Sequence, residues 1–543
     1  MKKNIFLPLL MLIIQPSWSF SACSSDLDPA IEALLDPSLF ELEAPLPVKK
    51  GCFPTETIIN LLTPASSPDD NPPLINAVAL LQEDVYKKTV GPVTRRSLLD
   101  EPALMPDYLS QCDNVGIVDL FFNYSPKVYF TKDSPFLSSY IDLNNQNIIN
   151  ELSNSEFINT DVPSVLGLFS TIKLQQYRAG FFFNYGKKWN HYALQLRIPL
   201  YYLLEHFFLT ESEIEAIKDN PFFLTDDAAA PVSSEDEVKE FALKHLVSDR
   251  FGTGDTRISF LAHIVDNPCH KLWCGLQATL PTAASFKRGL IAGEFDPEAP
   301  TPPFNLQHFF DVFNCSPNQA LADEVIKREL TDFLVSALDR VSTILINTPL
   351  GNGKHFGFGP QLDYRYTYND YFSTHTYAAL EGYTPRSENR FFLIDKNTQN
   401  LDRNWRDPAM TGENLALLNT LIVETLFPSG VKTIVNPGLK FQFNHAFMYT
   451  SKHVDLKLGF DYWLQGKESF SACNLTAPYD LPLLIRKGIR PFAHQGKIFG
   501  TIGYYNTLCP GTNWYIKGAF DATLFNSGIG KNYTLSIRLG LEF

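Results

Sequence analysis

Beyond its first two dozen positions the 543-residue sequence lacks any run of about 18 apolar residues free of charge, which excludes a transmembrane helix. The nearest candidate, residues 193–209, is interrupted by Gln195, Arg197, Glu205 and His206. A basic excess is also missing. The 45 Lys and Arg stand against 59 Asp and Glu, a formal charge of −14. Nucleic acid is therefore excluded as a partner, since its binders present a basic face. Mean hydropathy of −0.09 excludes a helical membrane bundle. No Gly-x-Ser-x-Gly elbow, His-Glu-x-x-His helix or phosphate loop occurs. The histidines His191, His263 and His375 read as polar residues of a wall rather than catalysts. The expectation is no enzyme and no cofactor. Eight cysteines are few for a disulfide scaffold of this length. Metal is not expected either, because Cys269, His270 and Cys274 are the one tight group and cannot complete a four-ligand zinc site.

What the sequence does have is aromatic: 43 Phe, 23 Tyr and 6 Trp within a chain that is 45% hydrophobic. Its first 22 residues read as an export signal. Lys2 and Lys3 form the positive end, residues 5–14 the apolar stretch and residues 19–22 the small-residue end. Cys23 follows Phe20-Ser21-Ala22, which resembles a lipoprotein box with Phe where Leu is usual. Cys23 is then either lipidated or a disulfide partner.

The strongest pattern closes the chain. Tyr533, Leu535, Ile537, Leu539, Leu541 and Phe543 alternate with Thr534, Ser536, Arg538, Gly540 and Glu542, a period of two. The same alternation runs through Tyr192 to Tyr202, Val454 to Leu464, Phe356 to Tyr368, Leu439 to Tyr449 and Trp514 to Leu524. The apolar strips often end in Tyr or Trp, while the opposite face carries charge, as in a barrel with interfacial aromatic girdles. Strands of ten or more residues suit an oblique bilayer crossing, whereas sandwich strands run about 5–6. The terminal segment resembles the last strand of Gram-negative outer-membrane β-barrel proteins, porins among them. That resemblance implies an outer-membrane location, lipid around the barrel, and the barrel-assembly machinery as a partner, which reads this strand by edge pairing.

The expected fold is an all-β transmembrane barrel of about 12 antiparallel strands, with 14 or more as the alternative. Strands are expected near 115–130, 171–186, 190–204, 255–266, 271–281, 355–368, 372–383, 433–450, 453–466, 496–505, 512–524 and 531–543. Short connections alternate with long ones, which places the short ones in the periplasm, except that the short last hairpin, Asn526 to Asn532, belongs to the long series by parity. Helical insertions are expected in the long loops, near 233–245, 318–345 and 414–427. Ser234 with Glu237 has capping-box spacing at the first of these. The domain reading is 1–22 signal, 23–114 an N-terminal periplasmic extension or plug with short helices near 28–35 and 76–86, and 115–543 the barrel.

By parity Arg178, Arg197, Arg257 and Arg365 face the lumen, as do Asp455, Asp461 and Asp521, which makes them pore-lining candidates. Two disulfides are expected, Cys269–Cys274 across a short turn and Cys315–Cys473 between long loops. Gly254-Asp255-x-Arg257 with Gly275-Leu276-x-x-x-Leu280-Pro281-Thr282 resembles a hairpin of the fatty-acid/toluene channel family, though Ala283 replaces the Gly expected next. That resemblance implies an N-terminal plug and lateral passage of apolar substrates. The functional expectation is a porin-like passive channel for small solutes, with a homo-oligomer left open. The alternative is a non-conducting surface, structural or adhesin-type protein.

Overall fold

The computed structural model describes residues 91, 93–106, 113–136, 172–218, 233–290, 342, 345–346, 348–392, 430–471, 484–509 and 511–543. They contain seventeen strands. The first seven are β1 (Asn114–Val128), β2 (Lys173–Trp189), β3 (Tyr192–Phe208), β4 (Val247–Thr253), β5 (Thr256–Asp266), β6 (His270–Leu280) and β7 (Ala284–Arg288). Then come β8 (Gly357–Thr367), β9 (Phe372–Tyr383), β10 (Arg386–Phe391), β11 (Gly430–Asn436) and β12 (Lys440–Thr450). The last are β13 (Val454–Gln465), β14 (Ser469–Ser471), β15 (Ala493–Cys509), β16 (Thr512–Ser527) and β17 (Lys531–Glu542).

Twelve of these strands form a closed antiparallel barrel in the cyclic order β1-β2-β3-β5-β6-β8-β9-β12-β13-β15-β16-β17. The first and last strands seal it, with Val115 opposite Glu542 and Tyr124 opposite Tyr533. Closure is what a lipid environment requires, because an open edge would leave N–H and C=O groups without water or partner. The alternation in the sequence becomes two faces. In β17, Leu535 and Ile537 are 63% and 52% exposed, whereas Ser536 and Arg538 are 6% and 5% exposed. The apolar residues thus point outward, and the charged ones inward. Among the described residues no helix is long and apolar enough to cross a membrane, so the crossing is made by strands.

Five short turns lie at one end, here called the turn end; the long connections and the short β16–β17 link at 528–530 lie at the other, the loop end. At the loop end β4 pairs with the upper half of β3 and with β7, continuing the wall beyond β5. Strands β10, β11 and β14 form a separate three-stranded sheet there. Helix α1 (Glu211–Ile217) and helix α2 (Glu235–His245) also sit there, and Ser234 and Glu237 form the anticipated capping box. Val93, Phe130, Ile172, Leu174, Phe207 and Phe391 belong to one apolar cluster across that end.

Three expectations are corrected. The strand expected at 433–450 is two strands in two sheets, because Pro437 and Gly438 break the ladder between β11 and β12. His191 lies in the β2–β3 turn rather than on a strand. Cys269 and Cys274 are both free thiols. Cys269 is in the turn and Cys274 lies in β6, so about 16 Å of extended chain separates them, beyond the ~7 Å Cα limit for a disulfide. Cys315, Cys473, residues 414–427, 28–35 and 76–86, and nearly all of 318–345 lie outside the described residues.

Candidate functional site in the barrel lumen

Within the region 23–114, residues 93–106 lie inside the bore. The segment enters near the loop end, where Arg390 and Arg490 both donate to the Gly91 carbonyl at 3.5 Å. It descends through two short 3-10 turns, Leu98–Asp100 and Pro102–Leu104. Ser97 caps the first, and Pro102 sits where a turn's missing N–H costs nothing. Neither turn has room for a regular helix's own bonding, so the backbone carbonyls need outside donors.

The wall supplies them. Arg178 donates to the Arg96 carbonyl at 3.1 Å. Arg197 and Arg257 donate to that of Leu99 at 3.1 and 2.9 Å, and Arg197 also reaches Leu104. Gln442 donates to the Asp100 carbonyl at 2.7 Å, and Ser536 and Arg538 to that of Ala103 at 3.4 Å. These donors come from β2, β3, β5, β12 and β17, so the segment is gripped from around the bore.

Side-chain pairs complete the grip. Arg96, fully buried, meets Asp461 at 2.5 Å and lies 5.8 Å from the centre of the Trp463 ring. Asp100 takes Arg257 at 2.6 Å and Lys440 at 3.1 Å. Glu101 pairs with Lys497, accepts from Asn532 at 3.0 Å and lies 3.5 Å from Arg178. Asp521 holds Lys497 at 2.9 Å and accepts from the Ala103 N–H at 3.4 Å. Burial alone would push the carboxyls of Asp100 and Glu101 up. The cations against them prevail: Lys440 and Arg257 hold Asp100 well below the usual carboxylate range, and Lys497, Arg96 and Arg178 lower Glu101.

Of the seven pore-lining candidates, Arg178, Arg197, Arg257, Asp455, Asp461 and Asp521 are buried within the barrel, and Arg365 is half-buried. Arg178, Arg197, Arg257, Asp461 and Asp521 converge on the segment. Asp455 instead pairs with Lys517 at 2.8 Å near the turn end, and Arg365 sits opposite Lys271 and His375 in the wall. His375 bridges Asp363 and Lys457, each at 3.0 Å, as a wall residue. His263 stacks on Trp273 with ring centres 4.1 Å apart. Arg96, Asp100, Glu101, Lys440 and Lys497 were not singled out from the sequence. Their one local signal is two charged dipeptides, Arg95-Arg96 and Asp100-Glu101, set among Leu98, Leu99, Ala103 and Leu104.

Beside the segment two small cavities remain, one of about 50 Å³ toward the turn end and one of about 80 Å³ toward the loop end. A larger concavity, about 1220 Å³, includes outward Leu120, Phe122, Phe447, Ile502, Phe520 and Leu535 and belongs to the apolar face rather than the bore.

A closed antiparallel barrel, apolar outside and charged within, defines an outer-membrane β-barrel. No family model and no curated protein matches the sequence. Solved structures share the architecture. One is an outer-membrane channel from Pseudomonas putida F1, with 9% identity and a TM-score of 0.37 over 80% of this chain and 98% of that one. Another is the transport unit of the autotransporter AIDA-I from Escherichia coli, with 6% identity and a TM-score of 0.32 over 82% and 95%. A toluene transporter from Ralstonia pickettii has 8% identity and a TM-score of 0.31 over 84% and 99%. These are likenesses of fold.

Proposed function

We propose that the protein is a plugged, non-enzymatic outer-membrane channel for small solutes, in which residues 93–106 are the closing element. One observation carries the reading: a discrete segment occupies the bore, and on its polar side it is held through groups that water can replace. A twelve-stranded barrel is wider than the eight-stranded kind that side chains fill, so withdrawal of the segment leaves a polar passage. Solutes then pass passively along arginines and carboxylates that set selectivity. The apolar cluster across the loop end favours the second reading, a permanently closed surface protein.

Planar-bilayer recording separates the two. The full chain is expected to stay mostly closed, and a variant lacking residues 24–112 to conduct steadily. Folding of both is checked by heat-modifiable migration on gels. A folded deletion variant that never conducts overturns the channel.

A further inference from the structure

The cavity of about 80 Å³ at the loop end of the segment has an unusual lining. Four guanidinium groups border it: Arg95 and Arg96 from the segment, Arg178 from β2, and Arg490 from the connection before β15. The lining contains one carboxylate, Asp255, and both its oxygens are taken, by the backbone N–H groups of Ala283 at 3.3 Å and Asn352 at 2.6 Å. Each guanidinium has a carboxylate partner outside the lining, Glu205 for Arg95, Asp461 for Arg96, Glu101 for Arg178 and Glu468 for Arg490, yet donors remain unused. The Nε atoms of Arg95, Arg96 and Arg490 and the Nδ2 of Asn352 are buried without a hydrogen-bond partner. Leaving such groups unmatched costs free energy, and an anionic acceptor recovers it.

We propose that this cavity binds a compact oxyanion, the phosphate or carboxylate group of a small solute. Planar guanidinium forks match such groups in two-point contacts. A single water needs roughly 10–15 Å³ of such space, so the cavity holds a group several times larger. Like-charge crowding supports the assignment. Burial, then neighbouring Arg490 and Arg178, bring the Arg95 guanidinium down to about 10 despite Glu205 at 2.5 Å. The ligand also bridges two bodies, since Arg95 and Arg96 belong to the segment and Arg178 and Arg490 to the barrel. What the ligand is for rests on the channel reading, but its binding does not.

The test is isothermal titration of the full chain, refolded in detergent micelles, with inorganic phosphate, acetate and chloride at matched ionic strength. Saturable heat with phosphate or with acetate, and none with chloride, is expected, and the responding probe identifies the group. Arg490→Gln is expected to weaken binding at least tenfold. Asn352→Ala, which removes the unpartnered Nδ2, is expected to weaken it a few-fold with the barrel intact by heat-modifiable migration. No saturable binding of either oxyanion, an equal response to chloride, or unchanged affinity in both folded variants overturns the proposal. No bilayer is involved, so failure here leaves the channel reading standing, and a silent bilayer leaves this site standing.

Discussion

The bore has two unlike sectors, and the segment within it is built to match both. On β1–β3 the inward residues Phe121, Phe182, Tyr201 and Leu203 form an apolar patch that receives Leu98, Leu99 and Leu104. On β5 and β12–β17 the inward residues are Arg257, Lys440, Asp461, Lys497, Asp521 and Arg538, and they receive Arg96, Asp100, Glu101 and backbone carbonyls. Arg178 on β2 and Arg197 on β3 join the sectors: both bond to the segment's carbonyls, and Arg197 lies 4.2 Å from the Phe182 ring centre. The difference teaches a division of labour. Apolar contact is non-directional and stabilises presence in the bore, whereas ion pairs of fixed geometry set depth and rotation.

The comparison breaks most visibly on the charged side. Asp100→Asn together with Glu101→Gln leaves Arg257, Lys440 and Lys497 short of partners. Breaking one buried pair costs roughly 3–5 kcal/mol, on the order of 10²–10³-fold in the population of displaced segment. Trypsin is then expected to cut after Arg95 or Arg96 in the folded barrel. An unchanged digestion pattern would assign the closure to the apolar sector alone. Next in size is Leu99→Ala, where truncation of a packed Leu costs roughly 2–5 kcal/mol. It should increase digestion less than the double substitution, and a larger effect would reverse the ranking of the sectors.

Acidity acts on one sector only. Both Asp100 and Glu101 have folded-state pKa values below their unfolded ones, so their contribution is complete above about pH 4.5 and lost as pH falls through the folded values. At the loop end Glu388 behaves alike. Burial would raise it, but His355 at 2.9 Å and Arg390 bring it to about 2. The β10 sheet should therefore keep its clamp on Gly91 through pH 5 and lose it between about 4.5 and 2. Proteolysis by pepsin across that range checks the window, and loosening that begins near neutrality contradicts it. The smallest effect is expected from salt. Buried pairs are poorly screened, so 0.1 to 1 M KCl should change trypsin sensitivity of the segment less than about twofold. A steep salt dependence would show the charged sector to be wet.

How much of this was legible in advance follows from what periodicity encodes. Alternation such as Leu535-Ser536-Ile537-Arg538 reports which face a side chain takes, and it marked six of the twelve barrel strands outright. It does not report what stands opposite that face. Arg96 and Asp461 are 365 positions apart, and nothing local to either announces the pair. Arg257 was therefore recognisable as a lumen residue but not as a holder of Asp100. The free thiols of Cys269 and Cys274 show the converse error, since proximity in sequence across a turn was taken for proximity in space. The break at Pro437-Gly438 was overrun because apolar residues continue on both sides of it.

The wall's arginines address main-chain oxygens of Arg96, Leu99, Ala103 and Leu104, atoms that every amino acid possesses. Those contacts follow the course of a chain and are blind to its letters, while Arg96, Asp100, Glu101 and the leucines are read by their side chains. Mutation is thus free to redraft the remaining letters, Ser97 and Ala103 among them, without a matching change in the cylinder.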